Sequence, residues 1–149
     1  MQRRITRVAA VECVYSCDIT ENYDKESIVE LFKEKNGTNV EFEGEGGQIV
    51  TEKYNEKLFN IIVGGTLDNL AIIDEKIIQC IAENWEFIRV ERVLRAILRC
   101  AVFEMLIQKV PYKVVINEYL EVTKLFYAGK KEVSFVNGIL NKIYVNSKN

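Results

Sequence analysis

Apolar positions recur at helical spacing along nearly the whole chain. Residues 3–17 place Ala, Val and Cys around most of the circumference, with polar positions at Arg3, Thr6, Arg7, Glu12 and Ser16. A helix that is apolar almost all round belongs in the centre of a fold. Residues 24–35 set Ile28, Leu31 and Phe32 on one face, with Asp24 as the N-cap. Helical spacing returns at 51–63 through Tyr54, Leu58, Ile61 and Ile62, and Gly64-Gly65 is expected to end that helix. Residues 68–83 carry the stripe Leu70, Ile73, Ile77 and Ile81. Residues 91–109 carry Leu94, Ile97, Leu98, Ala101 and Met105. Pro111, the only proline, stops that helix and opens the next, over 112–127, with Val115, Tyr119, Val122 and Phe126 on one face. Gly129, Lys130 and Lys131 are expected to break the chain before a last helix at 133–145, with Val136, Ile139, Leu140 and Ile143 inward.

The periodicity fails at 36–50, which holds four of the eight glycines and three glutamates. That segment reads as a flexible acidic loop or as a short hairpin around Val40–Phe42 and Gln48–Val50. The expected fold class is therefore all-α: a compact bundle of about seven helices, without a confident strand and without a repeat. One domain over 1–149 is expected, in two helical halves at about 1–66 and 67–149.

Composition removes several function classes. The chain has 149 residues, 48% of them apolar, and no histidine. Without His there is no triad base, and the commonest metal ligand and proton shuttle are missing. The four cysteines, Cys13, Cys17, Cys80 and Cys100, lack metal-site spacing and read as small buried hydrophobes in a reducing cytoplasm. Ser134 and the thiols have no base to activate them. Asp74-Glu75, near Glu83 and Glu86, reads as an exposed helix face rather than a carboxylate metal site. No run approaches a membrane span, and Glu12 and Asp18 interrupt any signal-like stretch. The expectation is a non-enzymatic binding protein with no cofactor.

The net charge of −2 is a cancellation. Residues 1–10 contain Arg3, Arg4 and Arg7 and no acid, residues 21–57 have a net charge of −5, and residues 109–149 a net of +4. Two basic ends on one face would attract phosphate. On charge alone, a solvated surface balancing the acidic middle is the preferred reading. Arg4 and Tyr15 return to nearly the same helix face, ~16 Å apart along the axis at 1.5 Å per residue. Arginine near an aromatic that can stack on a base is the equipment of single-stranded RNA recognition; a tyrosine at the rim of the core is the plainer reading. Arg92, Arg95 and Arg99 form a second row, in which Arg99 needs a buried partner.

Three segments together carry a resemblance. The first is Arg3-Arg4, then Arg7, running into Ala9-Ala10 and Val14-Tyr15-Ser16. The second is Trp85 followed by Ala96-Ile97-Leu98-Arg99-Cys100-Ala101-Val102-Phe103-Glu104-Met105-Leu106. The third is Val110-Pro111-Tyr112-Lys113-Val114-Val115-Ile116-Asn117-Glu118, then Phe126, then Phe135-Val136-Asn137-Gly138-Ile139-Leu140-Asn141-Lys142-Ile143. The chain resembles the bacterial NusB family of transcription antitermination factors over nearly its full length except 36–50. The resemblance implies a seven-helix fold in two halves and no enzymatic activity. It implies binding to the boxA element of nascent rRNA leader transcripts together with NusE, the small-subunit ribosomal protein. The complex would join RNA polymerase in the cytoplasm and suppress termination. NusB-like proteins can self-associate, so a homodimer is one form it allows.

The family's RNA-binding positions correspond here to Arg3, Arg4, Arg7, Tyr15, Phe126, Lys130, Lys131 and Phe135. The residues facing NusE are not assigned. Two departures stand out: Ile5 and Thr6 dilute the arginine cluster, and Lys130-Lys131 occupy a loop that is often acidic in the family. Asn137 and Gly138 match the motif but read as structural, with Gly138 permitting a close helix approach. Rival readings are a NusB-like RNA-binding module of an rRNA-modification or ribosome-assembly pathway, such as the one fused to some rRNA cytosine methyltransferases, and a helical protein-interaction scaffold. With no cofactor domain after its last helix, the chain reads as free-standing.

Overall fold

A computed structural model describes residues 2–81 and 87–148. Trp85, Glu83 and Glu86 lie outside the described residues. The chain forms α1 (Gln2–Thr20), α2 (Lys25–Asn36), a hairpin of β1 (Asn39–Glu43) and β2 (Ile49–Lys53), α3 (Glu56–Asp68), α4 (Leu70–Ile78), α5 (Arg92–Val102), α6 (Tyr112–Phe126) and α7 (Lys130–Ser147). Among the described residues this is the all-α bundle of seven helices that the periodicity called for, with one small two-stranded sheet added. Among the described residues no helix is long and apolar enough to cross a membrane.

α1 is central for the reason its composition gives. Val8, Ala9, Ala10, Val11, Cys13, Val14 and Cys17 are all buried, because α5, α3, α6 and α2 pack around it. α5 is its main partner and is nearly as apolar: Ala96, Ile97, Leu98, Cys100 and Ala101 are fully buried. Small residues on both helices let the backbones approach closely. α5 continues into a π-helical turn at Phe103–Ile107, closed by Gln108 N–H donating to Phe103 O at 2.9 Å. Asp24 caps α2 as expected, its carboxylate accepting from Ser27 N–H at 3.1 Å.

Of the two forms considered for 36–50, the structure has the hairpin. Its antiparallel register runs from Asn39↔Lys53 to Glu43↔Ile49, and Gly46 and Gly47 turn it with φ of 72° and 78°. The strands are mostly exposed, so their alternation leaves only Val40 as a strong apolar signal. Tyr54, immediately after β2, anchors the hairpin. Its ring packs in a cluster with Phe32 and Phe59, and its hydroxyl donates to Gly37 O at 2.9 Å. Asn55 N–H donates to Thr6 Oγ1 at 2.9 Å and ties the hairpin exit to α1. The helix expected from residue 51 accordingly begins at Glu56.

Two further helix ends and the role of one glycine also differ from the sequence reading. Gly64-Gly65 does not end α3, which runs on to Asp68. A Cβ on Gly65 would lie 2.1 Å from Phe103 Cε1, so this glycine makes room for a buried ring rather than a turn. Lys130 and Lys131 are not in a loop; they form the first turn of α7, after Gly129 as its N-cap. Gly138 is exposed and a Cβ there would meet nothing within 4 Å, so it does not serve a close helix contact.

Candidate nucleic-acid interface

α1 and α6 lie side by side and run in the same direction. Arg4, near the start of α1, meets Glu118 and Glu121 of α6. Tyr15, eleven residues further along α1, shares a cavity with Phe126 at the end of α6. Arg3, Arg4, Tyr15 and Phe126 are thus distributed along one seam, about 16 Å from Arg4 to Tyr15 at 1.5 Å per residue. Lys130 and Lys131 come four and five residues after Phe126, exposed at the N-terminal end of α7. That end already carries positive charge from unpaired backbone N–H groups, so two lysines there reinforce an anion-attracting field.

The arginines are not equivalent. Arg3 is exposed. Arg4 is one-third exposed and forms a two-pronged pair with Glu118, Nη2 to Oε2 at 2.9 Å and Nε to Oε1 at 3.3 Å. The hydrogen bond from Arg4 holds Glu118 below the usual carboxylate range, against its partial burial. A pair this exposed contributes about 1 kcal/mol or less, so a phosphate can take the carboxylate's place.

Arg7 departs from the expectation that it faces RNA. Its side chain is 3% exposed, with Nε donating to Glu104 Oε2 at 2.8 Å and Nη2 to Oε1 at 2.9 Å. Tyr119, fully buried, donates its hydroxyl to the same carboxylate. Burial pushes the Arg7 guanidinium down, and the hydrogen bonds and charge of Glu104 more than offset it, so it stays charged. Its position on the helix is right for the seam, but its direction is inward. The sequence offered no sign of this, because the partner Glu104 is 97 residues away.

The cavity at the far end of the seam has a volume of about 890 Å³ and opens between α1, α2 and the end of α6. Tyr15 and Phe126 are half-buried in its wall, and Ile19 and Leu31 are exposed at it. Its polar groups include Glu12 of α1 and Lys35 of α2, neither of which the sequence reading singled out for function. Burial pushes the Glu12 carboxyl up to about 7, with Lys35 pulling weakly the other way. Phe135 is elsewhere. It lines a separate groove with Cys80, Ile81 and Ile139, so the structure does not bring it into this cavity.

The second arginine row is structural. Arg99 is clamped by Asp74 (Nε to Oδ1, 2.8 Å) and Asp18 (Nη1 to Oδ1, 3.0 Å), which supplies the buried partner its position demanded. Arg95 also reaches Asp18, at 3.4 Å, leaving Arg92 as the exposed member of the row. Asp74 is therefore an ion-pair residue rather than part of a free acidic face. All four thiols are buried, and burial raises each above its ordinary range.

Comparison with known proteins adds to this geometry. The family model described as NusB family matches residues 4–145. The protein is 35% identical over 144 residues to "Transcription antitermination protein NusB" of Bacillus thuringiensis, covering 96% of this chain and 97% of that protein. It is 33% identical over 142 residues to the protein of the same name from Caulobacter vibrioides, covering 95% and 91%. Among solved structures, T. maritima NusB superposes with a TM-score of 0.72 at 28% identity, covering 96% of this chain and 90% of that one. A chain in a crystal structure described as a plectonemic RNA supercoil superposes with a TM-score of 0.77 over 100% of this chain and 98% of that one. Its 21% identity makes that a likeness of fold alone.

Proposed function

The chain belongs to the NusB family, and from that premise we propose that it is a transcription antitermination factor that binds single-stranded RNA along the α1–α6 seam. The RNA is the boxA element of an rRNA leader transcript, the partner is NusE, and the assembly acts on elongating RNA polymerase in the cytoplasm. The observation that carries the reading is the placement of Arg3 and Arg4 at one end of the seam and of Tyr15 and Phe126 at the other, with Lys130 and Lys131 opening α7 four residues after Phe126. Cations at both ends hold phosphates, and the two rings offer faces to bases between them. Arg7 supports the seam from below by fixing α1 to the π-helical turn through Glu104. Phe135 joins this surface only if the RNA continues around the start of α7.

The protein acts by binding, with no reaction of its own. Its four thiols are held as protonated, buried groups, and no histidine is present to act as a base. Fluorescence anisotropy with labelled boxA RNA and a scrambled control, with and without NusE, tests the proposal. Weak binding by the protein alone and tighter, boxA-selective binding with NusE are expected. Equal affinity for both RNAs in the presence of NusE would refute it.

A further inference from the structure

The end of the molecule beyond Arg3 holds charge that the seam does not use. Residues 105–117 and 133–149 contain four lysines, Lys109, Lys113, Lys142 and Lys148, and no aspartate or glutamate. The fold brings the two stretches together. Tyr112 opens α6, Tyr144 lies near the end of α7, and their rings stack with centroids 3.6 Å apart and planes 12° from parallel. Lys148 Nζ stands over the Tyr144 ring, 4.9 Å from its centroid. Lys113 is exposed and, among the described residues, makes no ion pair. Its neighbour Val114, also exposed, lines the groove that holds Arg3 and Arg4. This end is therefore continuous with the start of the seam, where α1 itself has no acid before Glu12. Glu118 and Glu104, the carboxylates that meet the groove's arginines most closely, are already neutralised by Arg4 and Arg7.

We propose that the RNA-binding surface runs past Arg3 onto this end, where Lys113 and Lys148 hold phosphates of nucleotides that flank the boxA element. This rests on the RNA-binding reading above and adds a surface to it. A strand leaving Arg3 and Arg4 along their groove passes Val114 and meets Lys113 beside it. Lys148 lies beyond, across the tyrosine stack. No acid in residues 1–11, 105–117 or 133–149 opposes a phosphate there. The contact is to the RNA backbone alone. Tyr144 has Tyr112 stacked on one face and Lys148 over the other, so it offers no face to a base. Phosphate contacts fix a strand in place without reading its sequence. The flanking nucleotides therefore add affinity and salt dependence, and no base preference.

The experiment measures fluorescence anisotropy of the full chain with boxA RNA, and with boxA RNA extended by about six uridylates on its 5′ or its 3′ side, at roughly 50 to 200 mM salt. One of the two extensions should bind more tightly than boxA alone and steepen the log–log salt slope by ~1.4, the single-strand value for two phosphate contacts. The gain should accordingly shrink about sevenfold across that fourfold rise in salt. An adenylate extension on the same side should give the same gain. In the double variant K113A/K148A, extended and unextended RNAs should bind alike. K57A, which removes an exposed lysine of α3, should keep the gain and so controls for net charge. The inference is overturned if neither extension steepens the slope, if the gain survives in K113A/K148A or is lost equally in K57A, or if it depends on the added base; RNA binding along the seam then still stands. Failure of the wild type to bind boxA RNA at the lowest salt overturns the RNA-binding reading itself, and this inference with it.

Discussion

Replacing Arg7 by Met separates a core residue from a ligand-binding one. Arg7 and the Glu104 carboxylate are 3% and 2% exposed and 2.8 Å apart. Two unit charges at that distance attract by about 6 kcal/mol at an effective dielectric near 20, most of it offset by the loss of hydration. Removing the guanidinium leaves a buried carboxylate with the Tyr119 hydroxyl as its closest remaining donor. Breaking a buried pair from one side costs about 3–5 kcal/mol. A domain of this size has roughly 5–15 kcal/mol in all, so Arg7→Met should lower the thermal midpoint by roughly 10 °C. Adding Glu104→Leu removes the stranded charge and should recover most of the loss. Arg4→Ala, which breaks a one-third-exposed pair, should cost no more than about 1 kcal/mol. Calorimetry on the two single variants and the double variant checks this. An Arg7→Met variant as stable as wild type, but deficient in RNA binding, would show that Arg7 reaches the ligand and that its burial has been misjudged.

Three other outcomes follow from particular side chains. Gly65→Ala should destabilise by roughly 1–3 kcal/mol in a denaturant titration, because the new methyl would meet the buried Phe103 ring at 2.1 Å and overpack the core. Gly138→Ala should instead stabilise by roughly 0.5–1 kcal/mol, since its Cβ enters open space and helix propensity improves. Glu12→Gln should stabilise the protein above pH 7 and do little near pH 4. The folded-state carboxyl, raised to about 7, binds its proton more tightly than in the unfolded chain, so its contribution is present at low pH and lost as pH rises through about 7. A gain that is the same at pH 4 and pH 8 would contradict that assignment.

How much of this was legible beforehand depends on whether the signal was local. Helical spacing gave the seven helices, and the all-round apolar pattern of 3–17 placed α1 at the centre, because burial on every side leaves no polar face to hide. The hairpin was harder to see: its strands are mostly exposed and offer little alternation beyond Val40. Gly65 misled because a glycine spared for a neighbouring ring and a glycine that stops a helix look identical in one dimension. Lys130 and Lys131 misled because lysines are unfavourable in a helix's first turn, and here they are in it. Within the candidate interface, Arg3, Arg4, Tyr15 and Phe126 fell together on one seam. Arg7 turned inward for a partner 97 residues away, and Arg99 found Asp18 and Asp74 at separations of 81 and 25 residues. Glu12 was not singled out for function because a lone glutamate on an apolar helix reads as a solvent contact until it is seen to line a cavity with α2 and the end of α6.

The central claim, that RNA phosphates engage the two cationic ends of the α1–α6 seam, is tested most directly by the salt dependence of RNA affinity. Binding to boxA RNA, with NusE present, should be measured across salt concentration for the wild type, Arg4→Ala, Lys130→Ala and Arg7→Lys. Arg4→Ala and Lys130→Ala should each flatten the log–log slope by ~0.7, the single-strand value for one phosphate contact, while Arg7→Lys leaves it unchanged. Slopes that do not move for Arg4 and Lys130, or one that flattens for Arg7, would contradict the account.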